Sequence, residues 1–158
     1  MNKKVSFLLG LLLLVNVVVN AQTVSSFFEK YAENEQFRFV SISKGMINLA
    51  SLFGKEDAGN ELMLSHLDEM KVLTLHASRK SNSAKAFFVD IESLLDTKPA
   101  FVGLMEAREK GVYTKVLNRQ NKNNKTDIVI VSKSDTVQHV IWLSGKIATE
   151  ELQRMIKK

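Results

Sequence analysis

The sequence contains no cysteine and only one proline among its 158 residues. Without cysteine, disulfide bonds, zinc–thiolate sites, iron–sulfur clusters and a cysteine nucleophile are all excluded. A lipoprotein also needs a cysteine at its cleavage point, so lipid anchoring by that route is excluded as well. The lack of disulfides does not argue against export, because a domain of this size can fold without them.

The chain has no focused run of basic residues, although its formal net charge is +5. Lys3 and Lys4 lie in a segment that we expect to be removed, which leaves +3. The remaining basic residues are scattered, whereas a phosphate backbone is bound by a basic stripe or patch. Nucleic acid is therefore not an expected partner.

The N-terminal segment has the order of features that is typical of a secretory signal peptide. Lys3 and Lys4 precede an apolar run over residues 5–15, and the small Ala21 followed by the polar Gln22 is typical of a cleavage site. The alternative is a transmembrane anchor, which needs about 20 apolar residues. Because the uninterrupted run is shorter and no basic stop-transfer cluster follows, we expect residues 1–21 to be cleaved near Ala21/Gln22. The expected location is periplasmic or secreted, without a stable membrane anchor after cleavage.

The remaining residues, 22–158, are expected to form a single domain. Helical spacing and capping residues predict helices over residues 23–33, 44–53, 61–68 and 84–94, and alternation predicts strands over residues 37–42 and 71–77. Thr23 is a candidate N-cap of the first helix, and residues 81–83 offer caps for the fourth. Pro99 marks the break that follows.

The second half of the chain predicts strands separated by short polar turns. These strands cover residues 101–108, 112–119, 126–131 and 136–143, and a last helix covers 148–157. Turns this short imply antiparallel hairpins and hence a meander. The predicted fold class is α+β: an antiparallel sheet of this late four-strand meander and two earlier strands, with helices packed on one face.

Five segments resemble a family of small exported bacterial proteins known as domain of unknown function 4252. They are FFEKY at 27–31, FVSISKGM at 39–46, MKVLT at 70–74, LMEARE at 104–109 and IWLSGKI at 141–147. Members of that family are often lipoproteins with a cysteine at the cleavage point. This chain lacks that cysteine, which points to a soluble envelope or secreted form. The resemblance implies no activity, because none is established for the family.

Three histidines are candidate ligands or catalysts. His66 has no second histidine at helical spacing, while His76 and His139 lie on predicted strands and are expected on the same side of the sheet. No HxH or HxxxH pattern is present, so structural roles are favoured over a metal site.

Other polar residues also favour structural roles. Ser41 and Ser43 fit a strand position and a helix cap, and the sequence has no GxSxG elbow. Gly45 is too isolated for a phosphate-binding loop. Glu29 and Glu33 share a helix face, where a solvated surface is the expected role. We therefore assign no catalytic, metal or cofactor-binding residue, and whether the protein is an enzyme stays uncertain, with a non-enzymatic role favoured.

Two short motifs match modification acceptors. Asn124 begins an N-glycosylation motif, and Thr136 follows Asp135 as in the O-glycosylation sites of some exported bacterial proteins. A polar hairpin turn is the favoured explanation of Thr136. In each of the adjacent aromatic pairs, Phe27–Phe28 and Phe87–Phe88, one member is a candidate for the border of the core, although packing within the core is favoured.

Two functions remain open. The favoured one is an exported, non-enzymatic module that binds an envelope protein or another component of the cell surface. The alternative is a periplasmic carrier or sensor of a small apolar ligand, which needs a cavity of about 300 Å³ or more. Such a cavity would be lined by residues such as Met46, Phe53, Phe87 and Ile91. Ligand, partner and oligomeric state are not predicted.

Overall fold

The computed structural model describes residues 23–53, 65–97, 99–121 and 123–148. The helices are α1 (Val24–Ala32), α2 (Lys44–Phe53) and α3 (Asn82–Leu95), and the strands are β1 (Phe37–Ser43), β2 (Leu67–His76), β3 (Val102–Glu109), β4 (Val112–Gln120), β5 (Thr126–Lys133) and β6 (Val137–Gly145). The predicted signal peptide at residues 1–21 lies outside the described residues. So does the predicted last helix, except for its first residue, Ala148, which is not helical.

The six strands form one antiparallel sheet in the order β1-β2-β6-β5-β4-β3. Strands β3 to β6 form the predicted meander. Strand β2 pairs with β6, and β1 pairs with the free side of β2. The edges of the sheet are therefore β1 and β3. This arrangement confirms the predicted α+β fold class with an antiparallel sheet and packed helices.

The front face of the sheet, defined here as the face that packs against α1 and α3, carries the larger core cluster. Thr23 caps α1 by accepting a hydrogen bond from Ser26 N, and Ser81 caps α3 by accepting one from Ala84 N, as predicted. Phe27 of α1 and Phe87 of α3 are fully buried and their rings stack at 5.9 Å. Aromatic packing between the two helices therefore fixes them to the front face.

The back face of the sheet is covered differently. Ile47 of α2 and Ile147 pack in a second cluster with Leu67, Ile128 and Leu143. One cross-strand row runs over all six strands and consists of partly exposed apolar side chains: Val40, Val72, Ile141, Ile130, Val116 and Met105. Helix α2 thus packs on the opposite face from α1 and α3, so the prediction that the helices pack on one face is wrong for α2.

The prediction of a helix over residues 61–68 is wrong at its C-terminal end. Leu67 and Asp68 belong to β2, and the Leu67 side chain is buried in the second cluster. Leu67 pairs with Gly145, and a register shift follows before Glu69. Spacing of apolar residues does not reveal this pairing, because the partner strand lies about 80 residues away in the chain. Residues 61–64 lie outside the described part.

Helices in the described ranges do not reach the combination of length and hydrophobicity that crossing a lipid bilayer requires.

Candidate functional site

A concave surface of about 660 Å³ lies at the end of the front face where β3 and β4 form their hairpin. We call it the hairpin groove and define it by Arg79, Phe88, Arg108, Tyr113 and Lys133. Phe88 comes from α3 and Arg79 from the connection between β2 and α3, while the other three come from the sheet. The volume lies within the range of about 300–1,000 Å³ that is usual for ligand sites.

The strand register places three of these side chains in one row. Arg108 pairs with Tyr113, and Tyr113 pairs with Lys133 on its other side. Directly opposed residues point to the same face of a sheet, with their Cβ atoms about 5 Å apart. Tyr113 is therefore flanked by a cationic side chain on each side, one from the edge strand β3 and one from β5.

Lys133 is the most enclosed cation of the groove. Its Nζ lies 4.1 Å from the centre of the Phe88 ring, and its side chain keeps only 21% of its accessible surface. Burial lowers the pKa of Lys133, the charge of Lys115 adds to that effect, and Glu92, at 3.9 Å, opposes it. The ammonium group is thus partly desolvated, and its carboxylate neighbour is beyond hydrogen-bond distance.

Tyr113 forms the aromatic centre of the row. The Arg108 guanidinium lies 5.1 Å from the centre of its ring, within the range of a cation–π contact. Burial raises the pKa of the Tyr113 hydroxyl, and a hydrogen bond to Glu106 with the charge of that carboxylate raises it further. The phenol therefore stays neutral and presents a flat apolar surface to the groove.

The wall of the groove is a tight β-turn. Lys110 and Gly111 connect β3 to β4 with φ angles of 48° and 82°. Two consecutive positive φ values are typical of the type I′ turn, in which glycine carries no steric penalty. It is the short turn predicted between the strands over residues 101–108 and 112–119, and its geometry holds Arg108 and Tyr113 opposite each other at the end of the hairpin.

The buried carboxylate of Asp127 lies at the opposite end of the front face and has a structural role. Arg119, Asn121, Trp142 and Ser144 all donate hydrogen bonds to it, at 3.0–3.3 Å. These four hydrogen bonds occupy the lone pairs through which the carboxylate would contact a ligand. Asp127 thus stabilises the β4-β5-β6 region.

Asp90 joins α1 to α3. Lys30 and Tyr31 both donate hydrogen bonds to Asp90 Oδ2. Burial favours the neutral carboxyl group, but these two hydrogen bonds outweigh it and lower the pKa of Asp90. Burial, together with the hydrogen bond and charge of Asp90, raises the pKa of Tyr31. The cluster therefore ties two helices together, which is a packing role.

The three histidines do not converge. His76 and His139 lie on the same side of the sheet as predicted, which is the back face. His139 is directly opposite Thr74, whose Oγ1 is 3.0 Å from His139 Nδ1. Burial lowers the pKa of His139, and the charge of His76 lowers it further. His66 precedes β2 at the other end of the sheet. Within the described ranges, no three histidine, aspartate or glutamate side chains are grouped so as to hold a metal ion.

The remaining polar candidates are spread over the surface. Ser41 is exposed on β1, and Ser43 ends that strand. Gly45 is exposed in the first turn of α2, far from any second glycine in the sequence. Glu29 accepts a hydrogen bond from Ser25 Oγ on α1, and Glu33 is exposed at the end of that helix. The structure does not bring these side chains together.

Thr136 is exposed between β5 and β6, and Asn124 is exposed between β4 and β5. Both modification motifs therefore lie in accessible turns. Modification itself stays a prediction.

The residues named for an apolar cavity lie apart. Met46 is 59% exposed, whereas Phe87 and Ile91 are buried in the core cluster under α3. The side chain of Phe53 lies outside the described part. A recess of about 50 Å³ beside Ile91 is much smaller than a ligand site.

One of the two aromatic pairs has a member at the border of the core, and the other pair packs entirely within the core. Phe88 is partly exposed at the border of the core and lines the groove, while Phe87 is fully buried. Phe27 and Phe28 are both fully buried, because Phe28 packs against Trp142 and Phe39 of the sheet. A helix between a sheet and another helix can bury more than one stripe.

The sequence did not predict the groove. Arg108 and Lys133 are ordinary surface charges in the sequence, and residue 133 was placed in a loop. A signal was present, since cations occur near the predicted hairpin ends at residues 108, 110 and 133. Their convergence depends on the register of the meander and on where α3 lies.

Comparison with known proteins gives one match. A sequence model described as "Domain of unknown function (DUF4252)" matches residues 31–155, which is most of the chain and confirms the resemblance drawn from the sequence. No curated protein and no solved structure matches the chain.

Proposed function

This chain belongs to the DUF4252 family, and because that family description assigns no activity, we propose from the chain's own surface that the protein is an exported, non-enzymatic binding module of the bacterial cell envelope. The observation that carries the proposal is the hairpin groove. It combines an aromatic floor with cationic side chains that project from rigid strands. Sites of this composition hold a partner through a few placed polar groups and an apolar surface.

Binding is favoured over catalysis because of how the buried ionisable groups are used. Asp127 and Asp90 each accept hydrogen bonds from several donors, so both have structural partners. A general acid or base must instead reach a substrate atom. The groove itself presents cations and aromatic rings, which suit recognition.

The envelope location rests on residues 1–21 alone. We propose that this segment directs export and is cleaved near Ala21/Gln22, leaving a periplasmic or secreted protein. The intact mass of the protein recovered from the periplasm or the medium tests this proposal, with a chain beginning at Gln22 as the expected result. Substitution of Leu12 by arginine interrupts the apolar run, so the uncleaved chain should then accumulate in the cytoplasm. A full-length chain recovered from the membrane would contradict the proposal.

The alternative, a carrier of a small apolar ligand between helices and sheet, is supported less well. Such a carrier would require Met46, Phe87 and Ile91 to line one cavity. Met46 is exposed, while Phe87 and Ile91 pack in the core. The groove lies outside that core, and its rim is charged.

Native mass spectrometry of the protein, isolated gently from the envelope of its producing cells, tests the proposed function. We expect a stoichiometric companion on the wild-type chain. The double variant Arg108→Gln/Lys133→Met should lose this companion, because both cations of the row are removed. Arg38→Gln is the matched control, since Arg38 is an exposed arginine on the other edge strand and on the back face.

If the double variant still retains the companion, the hairpin groove is not the binding site. A retained apolar small molecule would instead favour the carrier. An uncomplexed wild-type chain would contradict stable binding.

A further inference from the structure

We propose that the hairpin groove is a site for the oxyanion of a small amphipathic molecule, with the anion between Arg108 and Lys133 and the apolar part against Phe88 and Tyr113. This inference rests on the proposed binding function and specifies the ligand class of the same surface. The oxyanion is a carboxylate or a phosphate, and the experiment below separates the two.

The first argument is the excess of donors over acceptors. Arg79 has Asp135 at 3.7 Å, and Lys110 has Glu109 at 3.8 Å. Among the described residues, Arg108 has no carboxylate within 4.0 Å, and Lys133 has only Glu92 at 3.9 Å. Neither Arg108 nor Lys133 donates a side-chain hydrogen bond within the described part of the chain.

The second argument is the partial desolvation of Lys133. Its ammonium lies against the Phe88 ring, its side chain is partly shielded from water, and burial lowers its pKa. A charge in such a place lacks part of its hydration, so an anion that reaches it gains more than it would from an exposed lysine. Among the carboxylates of the described residues, only Glu92 lies within 4.0 Å of the Lys133 ammonium, and its distance of 3.9 Å is too long for a hydrogen bond.

The third argument is the spacing of the two cations. Arg108 and Lys133 lie two strands apart in one row, with Tyr113 between them. Adjacent strands are about 4.8 Å apart, so the two Cα atoms are separated by roughly 10 Å. Arginine and lysine side chains are long enough to meet an oxyanion above the tyrosine ring. The planar guanidinium can donate two parallel hydrogen bonds to it.

The fourth argument is the apolar floor. Phe88, Tyr113 and Val112 contribute an apolar surface next to the cations. A small inorganic anion would leave that surface exposed to water, whereas a ligand with an aromatic or alkyl group would cover it. The combination therefore indicates an amphipathic acid and not a free ion.

The experiment titrates the full chain with benzoate, phenyl phosphate, benzyl alcohol and inorganic phosphate, using calorimetry and amide chemical shifts. We expect one of the two aromatic oxyanions to bind, with shifts at residues 79, 88, 108–113 and 133. Tighter binding of benzoate assigns the site to carboxylates, and tighter binding of phenyl phosphate assigns it to phosphates. Benzyl alcohol and inorganic phosphate should each bind at least about tenfold more weakly. Benzyl alcohol lacks the oxyanion, and inorganic phosphate lacks the apolar group.

Variants then separate charge from shape. Arg108→Gln and Lys133→Met should each weaken aromatic oxyanion binding by about tenfold or more, as expected for loss of a charged hydrogen bond. Methionine keeps an apolar side chain against the Phe88 ring, so we expect Lys133→Met to retain the fold. Denaturant unfolding measures whether its stability is unchanged. Lys133→Arg keeps the charge and should keep binding. Arg38→Gln should leave binding unchanged.

The inference is overturned if benzyl alcohol binds as tightly as the oxyanions, or if Arg38→Gln weakens binding as much as Arg108→Gln. It is also overturned if the oxyanions shift amides elsewhere. Its failure is distinguishable from failure of the proposed function: a companion that still depends on Arg108 and Lys133 supports the binding module even when no oxyanion binds.

Discussion

Arg119 and Asp127 face each other across β4 and β5 as a buried ion pair, with Arg119 Nε 3.2 Å from Asp127 Oδ2. The same carboxylate accepts the indole N–H of Trp142 at 3.2 Å and the hydroxyl of Ser144 at 3.0 Å. The guanidinium also lies 4.3 Å from the centre of the Phe101 ring and donates to Thr97 Oγ1. This pair therefore links the end of the sheet to the chain that leaves α3.

Asp127→Ala is expected to destabilise the protein by about 3–5 kcal/mol, because it leaves Arg119 buried without its anion. Asp127→Asn should cost less, since the amide oxygen still accepts from Trp142 and Ser144. Chemical denaturation measures both. Asp135→Ala is the control, since the Asp135 side chain is 83% exposed and pairs only loosely with Arg79. Equal losses for residues 127 and 135 would contradict the structural role of Asp127.

Gly145→Ala is expected to destabilise the protein by about 3 kcal/mol or more. A Cβ atom at position 145 would lie 2.1 Å from the backbone oxygen of His66 and 2.9 Å from Leu67 Cα, so the β2–β6 pairing would have to move. Gly103→Ala is the matched control, because a Cβ atom there meets nothing within 4 Å. Its free energy of unfolding should change by less than about 0.5 kcal/mol. A similar loss at both glycines would show that the close approach at residue 145 is unimportant.

Stability should fall in acid partly because of Asp90. Its pKa is lower in the folded protein than in the unfolded chain, so the unfolded state binds more protons between the two pKa values. The contribution of Asp90 is therefore present above about pH 4 and is lost as the pH falls through the folded pKa. Denaturation at pH 2–6 should show this slope, and Asp90→Asn should reduce it. Glu33→Gln, an exposed change on α1, should leave the slope unchanged; a slope unaffected by Asp90→Asn would refute the prediction.

His139 should contribute a second pH dependence, near neutrality. Burial, with the charge of His76, lowers the pKa of His139 in the folded state, so protonation favours the unfolded chain. Stability is expected to decrease as the pH falls below about 6.5, the value for an unperturbed histidine. His139→Gln should remove this decrease. His76→Gln should reduce it only in part, because burial is the larger cause. NMR titration of both rings, with denaturation at pH 5–8, measures these effects.

The local pattern of the sequence predicted most elements because each depends on neighbouring residues. Thr23 and Ser81 cap their helices as expected, and Lys110-Gly111 forms the turn that its residue types favour. The start of β2 could not be predicted in this way. Leu67 is held in the strand by pairing with Gly145, and that contact is not encoded within a local window.

The candidate site shows the same division. One member of the Phe87–Phe88 pair was a candidate for the border of the core, and the structure shows that it is Phe88, which lines the groove. Arg108 and Lys133 could not be assigned, since nothing near either residue distinguishes it from other surface cations. Two observations single them out: they share one cross-strand row with Tyr113, and α3 brings Phe88 over the lysine.

The sequence by itself determined the absence of cysteine chemistry, the α+β class, the meander and the family resemblance, because composition, periodicity and turn residues act over short distances along the chain. Only the tertiary structure decided the strand order, the burial of Asp127 with Arg119 and the position of the groove. These features depend on contacts between residues distant in the chain. Such contacts follow from the register of a whole sheet and the packing of helices on it, and no single segment encodes either.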